Sequence, residues 1–310
     1  MLVTTSEPDR LEFEVVDVFT DQPFAGNPLA VVLGAEHLST GQMQALAREF
    51  HLSETAFAIR PDAAERARGV DYRLRIFTPA TELPFAGHPS VGTAWLLARR
   101  GWVRPGRVLQ ACGAGDLPLQ VGADGGRVTL TGGAPTLGAP GDGTGLDPVA
   151  LAEAVGLETD DLVGLPCGTA GTGIEFAYLQ VRPDAVPRAV PSSLKAFAVH
   201  ALYLVGWPVD GVGSRSRPEP VRARLFAADL GVAEDPATGS AALGLAVHAV
   251  ASGLLPGDGT SAFVVSQGVE LGRPSWLHVE VDAAHGRAVR ARVSGDVVAI
   301  SSGAVAIPGA

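Results

Sequence analysis

Two short blocks hold the residues best suited to chemistry. His88-Pro89-Ser90-Val91-Gly92-Thr93-Ala94 resembles Asp235-Pro236-Ala237-Thr238-Gly239-Ser240-Ala241, each position offset by 147 residues. In both, a polar residue and a proline precede an apolar, small-residue stretch (94–98 and 241–250) that reads as a buried helix. A helix start carries unsatisfied N–H groups and the positive end of the dipole, so it attracts carboxylates. Two such starts facing one cleft bring His88 in from one side and Asp235 from the other. The hydroxyls of Thr93 and Ser240 add donors.

A further acid, Glu54, follows His51-Leu52-Ser53 where a helix turns into a strand, and Asn27 stands between Gly26 and Pro28. Each of these residues also has a plainer reading, which the residue types leave open. Asp235 before Pro236 fits an ordinary helix N-cap, and His88 a loop histidine on a carbonyl. Glu54 fits a solvated acid, and Asn27 fits turn chemistry. Aligning Phe57 with Phe176 sets Gly173 opposite Glu54, so the candidate base exists in one half only. That argues against a symmetric two-base racemase. His37, His51, His200, His248, His278 and His285 have no ligand spacing and read as structural.

The elements that must position these groups also repeat. Arg75-Ile76-Phe77 resembles Arg224-Leu225-Phe226, upstream of the first pair of blocks and in the same order. Two similar halves follow. Residues 12–19 alternate apolar and polar, and 29–33 and 55–59 read as further strands. Ser39 and Gln42 predict a capping box for a helix whose apolar face is Met43, Leu46, Ala47 and Phe50. Asp147-Pro148 opens a counterpart carrying Leu151, Ala154 and Val155, ended by Gly156, with a strand over 174–181 beyond it. Many short strands with one long buried helix per half make the fold class α+β. The glycines at 113–115 and 132–133 predict turns, and 138–145 with Pro140 the connection between halves.

Composition narrows the class. The chain has 310 residues, 46% hydrophobic and 18% charged, enough for two cored domains. A net charge of −10 disfavours nucleic acid as a partner. Lys195 is the only lysine and lies in no glycine-rich cradle, which disfavours a pyridoxal phosphate Schiff base. Cys112 and Cys167 form neither a disulfide framework nor a metal-ligand spacing, and no His-Glu-x-x-His occurs, so no metal is expected. The chain contains no Gly-x-Ser-x-Gly elbow, P-loop or dinucleotide fingerprint. Residues 236–257 carry no formal charge, but their polar residues and four glycines suit the centre of a soluble domain better than a membrane span. The first residues lack a signal-peptide pattern, so a cytoplasmic location is expected.

Several motifs are recognisable together. Asp17-Val18-Phe19-Thr20 with Phe24-Ala25-Gly26-Asn27-Pro28 resembles the opening of the phenazine-biosynthesis isomerase family (PhzF-like proteins). Leu52-Ser53-Glu54-Thr55, Phe77-Thr78-Pro79, Gly87-His88-Pro89 and Glu234-Asp235-Pro236-Ala237-Thr238-Gly239-Ser240-Ala241 follow in the family's order. So does the late Gln267-Gly268-Val269-Glu270-Leu271-Gly272-Arg273-Pro274-Ser275. The resemblance implies a diaminopimelate epimerase-like fold, two halves that each wrap a mostly antiparallel sheet around a central helix, with the site in the cleft between. It implies one domain over 1–130 with a returning strand in 291–310, a second over 131–290, and a homodimer.

By motif, Glu54 matches the family's catalytic acid/base, with His88 and Asp235 beside it. Ser240, Gly87, Gly239, Thr93 and Asn27 are then expected to bind substrate. The implied activity is cofactor-independent proton movement within a small carboxylic acid, one class being cyclic and unsaturated. Epimerisation or elimination on an amino or hydroxy acid is one alternative; a non-catalytic small-molecule binding protein is another. Related epimerases carry a cysteine at each helix start. Here Ala86 precedes Gly87-His88 and neither 84–93 nor 232–241 holds one, which disfavours two-thiol racemisation.

Overall fold

Strand alternation decides which residues can reach the centre of each half. The computed structural model describes residues 9–138, 146–197, 199, 201–208, 219–230 and 232–309. In strand Glu54–Ile59, Ala56 and Ala58 join the large core around the central helices, while Phe57 joins a smaller core with Met43, Leu46 and Ala47 of helix Thr40–Phe50. With a period of two, Glu54 shares the face of Ala56 and Ala58. In the adjoining strand Asn27–Leu33, Leu29, Val31 and Leu33 belong to the large core, which puts Asn27 on that same face.

Strand pairing runs in two matching ribbons. In the first, Val297–Ala306 pairs with Arg10–Val18, which pairs with Asn27–Leu33, then Glu54–Ile59, Tyr72–Phe77, Gly106–Cys112, Gly115–Val121 and Val128–Thr131. In the second, Thr136–Leu137 pairs with Gly168–Gly171, then Glu175–Gln180, Leu202–Gly206, Val221–Ala227, Gly259–Gln267, Ser275–Ala284 and Arg287–Gly295. The parallel pairs fall at equivalent places, and the ribbons join where Val128–Thr131 meets Arg287–Gly295 antiparallel. The two halves are thus α+β units of the same design.

Each ribbon wraps one helix, Gly87–Arg99 in the first half and Gly239–Ala251 in the second; every residue from Gly239 to Val250 is buried. A helix apolar all round belongs in a core. Among the described residues no helix is long and apolar enough to cross a membrane. Gly92 and Gly244 sit where the helices press on the sheet: a Cβ on Gly92 would lie 2.8 Å from Leu29, and one on Gly244 would lie closer still to the Tyr178 hydroxyl.

Local expectations hold for the caps. Ser39 and Gln42 form both bonds of a capping box, at 3.2 and 2.9 Å. The Asp147 side chain caps helix Pro148–Ala154, and Gly156 follows at φ +75°. The connection between halves comes earlier than expected. Gly132 and Gly133 already hand the chain from Ala291 to Thr172, so 132–135 makes the crossing. Residues 139–145 of the expected connection, like His200, lie outside the described residues. The seam is closed by Phe19, fully buried at φ +66°, whose ring fills the space beside Gly239 and Gly295.

Candidate active site

Both central helices begin without a side-chain cap. Ala86 has no polar side chain to offer, and the Thr238 hydroxyl is turned instead to Asp235 Oδ2 at 2.5 Å. Uncapped first-turn amides are the usual cradle for an anion. Ser240, second residue of its helix, makes no side-chain hydrogen bond among the described residues, although it is only 7% exposed.

His88, Glu54, Asp235 and Asn27 come together at these helix starts. Glu54 Oε2 lies 3.6 Å from His88 Nε2, too far for a hydrogen bond, and both atoms are buried without a partner. Asn27 is fully buried between the other two. Its amide nitrogen donates to Asp235 Oδ1 and to the Ala237 carbonyl, both at 2.9 Å, and meets His88 Nδ1 at 3.2 Å. Those two bonds use both amide protons, and an amide nitrogen accepts none, so an Nδ1–H would face it unmatched; the tautomer that fits leaves Nδ1 bare and carries the imidazole proton on Nε2, facing Glu54. Ser53 Oγ donates to Asn27 Oδ1 at 3.4 Å.

Burial sets the charges. Desolvation pushes Glu54 up to about 8, with the nearby Asp235 charge adding to it. His88 is lowered to about 3 by desolvation, so it is neutral. Asp235 is raised to about 6, again first by desolvation; the hydrogen bonds from Thr238 and Asn27 pull it down and Glu234 pushes it up. The site therefore separates a proton-holding glutamic acid from a more readily ionised aspartate, with a neutral histidine beside the glutamic acid. Pairs of acids with displaced proton affinities are characteristic of proton-transfer sites.

The structure revises several expected placements. The helices begin at Gly87 and Gly239, so His88 and Pro89 lie inside a first turn, while Asp235 ends strand Val232–Asp235 and does not cap a helix. The two central helices are each 13 residues long, and matching their starts puts 152 residues between Gly87 and Gly239, Gly92 and Gly244, and Gly101 and Gly253, which replaces the offset of 147. The pseudo-equivalent of His88 is then Ser240. That of Asp235 is Leu83, since Ile76 pairs with Leu83 as Leu225 pairs with Asp235.

Thr93 lies six residues into its helix, about 9 Å along the axis from Gly87, fully buried with an unpartnered hydroxyl. It is not brought to the helix start. The Asn27 side chain, expected to bind substrate, is engaged with Asp235, Ala237, His88 and Ser53. Gly173 turns the hairpin between strands Gly168–Gly171 and Glu175–Gln180 at φ +128°. The counterpart of Glu54 is Ala201, because Thr55 pairs with Phe77 as Leu202 pairs with Phe226. The one-sided base survives that change of partner.

Three neighbours went unnoticed among the chemistry-bearing residues, Gln267, Thr238 and Tyr203. Gln267 and Thr238 stand inside the quoted motifs, whereas Tyr203 has no local signal in the sequence. The two thiols are uncombined, and burial holds Cys167 up at about 11.

A two-half scaffold whose central helices start side by side over an acid pair belongs to the isomerase and epimerase class. A sequence-family model described as phenazine biosynthesis-like protein matches residues 16–303, and the chain belongs to that family. It is 32% identical over 294 residues to trans-2,3-dihydro-3-hydroxyanthranilate isomerase of Pseudomonas aeruginosa, covering 94% of this chain and 98% of that one. An uncharacterised isomerase of Mesorhizobium japonicum is 34% identical over 302 residues, covering 93% and 96%. The crystal structure of a PhzF-family protein from Bacillus anthracis superposes with a TM-score of 0.79 at 25% identity, covering 96% and 100%. The chain is an enzyme of the isomerase type.

Proposed function

We propose that this enzyme moves a proton within a small carboxylic acid by general acid/base catalysis, without a cofactor. Glu54 takes a proton from carbon and returns it to a second carbon of the same conjugated system. The C–H electron pair passes into the π-system and the double bond relocates, so the product is an isomer of the substrate. Charge that builds on the substrate's carboxylate is met by the first-turn amides around Gly87 and Gly239 and by the Ser240 hydroxyl. Neutral His88 donates from Nε2 to substrate or to Glu54, and Asp235, held by Asn27, fixes the other side.

The observation that carries this reading is the Glu54–His88 pair, 3.6 Å apart and without protein partners for the facing atoms. Two buried polar atoms left unmatched are costly unless a ligand completes them. A base near 8 in a dry site has the proton affinity a weak carbon acid requires. The relative from Pseudomonas aeruginosa, named for isomerising a dihydro-hydroxyanthranilate, makes cyclic unsaturated acids the first class to try. On this reading Arg10–Thr131 with the returning strand Val297–Ala306 forms one half of the scaffold and Thr136–Gly295 the other, close to the expected 1–130 with 291–310 and 131–290. A cytoplasmic homodimer is its proposed setting, which light scattering on the purified protein reads for the dimer.

The test is a panel of cyclic and acyclic unsaturated acids followed by NMR. The expected outcome is a product of unchanged composition with a relocated double bond, formed by the wild type and not by Glu54→Gln. Full turnover by Glu54→Gln on the same acid would refute the assignment.

A further inference from the structure

Asp235 is oriented by a residue that has no place in the chemistry itself. Gln267 ends strand Gly259–Gln267, is fully buried, and uses its whole amide. Its Oε1 accepts from the Thr238 backbone N–H at 3.2 Å and from the Tyr203 hydroxyl at 2.9 Å. Its Nε2 donates to the Asp235 backbone carbonyl at 2.8 Å and to Thr238 Oγ1 at 3.1 Å. A backbone N–H only donates and a backbone carbonyl only accepts, so the amide has one possible orientation. With an Nε2 proton directed at it, Thr238 Oγ1 has its own single proton left for Asp235 Oδ2, 2.5 Å away. Asn27 meets Oδ1. Donors thus face both carboxylate oxygens, which favours the ionised form.

We infer that Gln267 is a positioning residue: by aiming the Thr238 hydroxyl at Asp235 it keeps this acid an anion and leaves Glu54 as the group that carries the proton. Other titratable groups act on Asp235 from the packed elements: Glu54 from strand Glu54–Ile59, Tyr203 from strand Leu202–Gly206 and Glu234 beside it, with His88 of the first central helix on the far side of the Asn27 amide. Among the described residues none of the four donates to Asp235, and Glu234 is itself held by Arg224 at 2.8 and 2.6 Å. The Thr238 and Asn27 donors therefore have no substitute.

The functional weight of this inference rests on the role proposed for Asp235, but its test reads ionisation and not turnover. Full-length protein carrying carboxyl-labelled aspartate and glutamate is titrated by NMR, with Asp235→Asn and Glu54→Gln as assignments. In Gln267→Met, which keeps the volume without the amide, the Asp235 midpoint is expected to rise by about one pH unit and that of Glu54 to fall. Thr238→Val should move Asp235 the same way, and Thr238→Ser should restore it. A folded Gln267→Met whose Asp235 titrates at the wild-type midpoint overturns the inference. Should that variant not fold, an unmoved midpoint in Thr238→Val overturns it instead. Failure of the proposed function looks different: Glu54→Gln stays active while the shifts in Asp235 persist.

Discussion

Gly87 and Gly239 touch where the two central helices begin. A Cβ on Gly87 would lie 3.2 Å from the Ser240 amide nitrogen and 3.5 Å from the Gly239 Cα. Two helix starts can share one anion only at such a spacing, and a side chain here forces them apart by a few tenths of an ångström. Gly87→Ala should lower kcat/KM at least about tenfold on the isomerised acid, because small displacements of positioning groups are costly in the transition state. Wild-type efficiency in that variant would show that the two starts do not act together.

The acid pair predicts the pH profile. Glu54 must be ionised to take a proton and sits at about 8, while Asp235 at about 6 is already ionised there. The expected kcat/KM rises with pH through pH 8 toward a plateau, since this parameter reports the free enzyme. Rates measured between pH 6 and 9.5 decide it; a flat profile rules out Glu54 as the base.

Stability should move in the opposite sense. Folding raises Glu54 from 4.5 to about 8, so between those values the native chain keeps a proton the unfolded chain has lost. Its contribution to stability therefore falls as pH rises through that window. His88, lowered from 6.5 to about 3, does the reverse below pH 6.5. Glu54→Gln removes the first effect and should be more stable than wild type at pH 8.5 by about 2 kcal/mol, with little difference at pH 4.5. Urea unfolding at the two pH values compares them.

Among the described residues the Ser240 side chain has no hydrogen bond to lose. Ser240→Ala should leave the melting temperature within about a degree of wild type and raise KM for a carboxylic acid by about three- to tenfold, the worth of one hydrogen bond. An unchanged KM places the carboxylate elsewhere.

Arg273 clasps the first half from the second. It meets Asp17 Oδ1 at 2.5 Å and the carbonyls of Ala25 and Gly26, both at 2.8 Å, next to Asn27. Asp17 is 2% exposed, and its other oxygen accepts from the Phe24 amide at 2.8 Å. Arg273→Ala leaves that carboxylate buried without its cation, so a loss of about 3 kcal/mol is expected. Asp17→Asn in the same background should recover part of it, and denaturant melts of the single and double variants measure both.

Much of this was legible in the residues themselves. The capping box at Ser39 and Gln42, the Asp147-Pro148 helix start and the two buried helices depend on neighbours within a turn or two, so local spacing carries them. The offset of the repeat did not come through. The halves are shifted by 149 residues at Phe77 and Phe226 but by 152 at Glu82 and Glu234, because the turn Ala228–Leu230 lengthens the second half. Carrying 149 forward would pair His88 with Ala237; the ungapped match at 147 follows the shared prolines Pro89 and Pro236 instead, and pairs His88 with Asp235.

Residue types and their order were enough for the class of fold, for the family, and for a glutamate present in one half and missing from the other. Three-dimensional packing alone decided what those groups are. Asn27 finds His88 and Asp235 at sequence separations of 61 and 208, and Gln267 finds Asp235 from 32 residues further along the chain. Proton affinity follows from how much water is removed and which donors remain, and both are properties of contacts between distant segments.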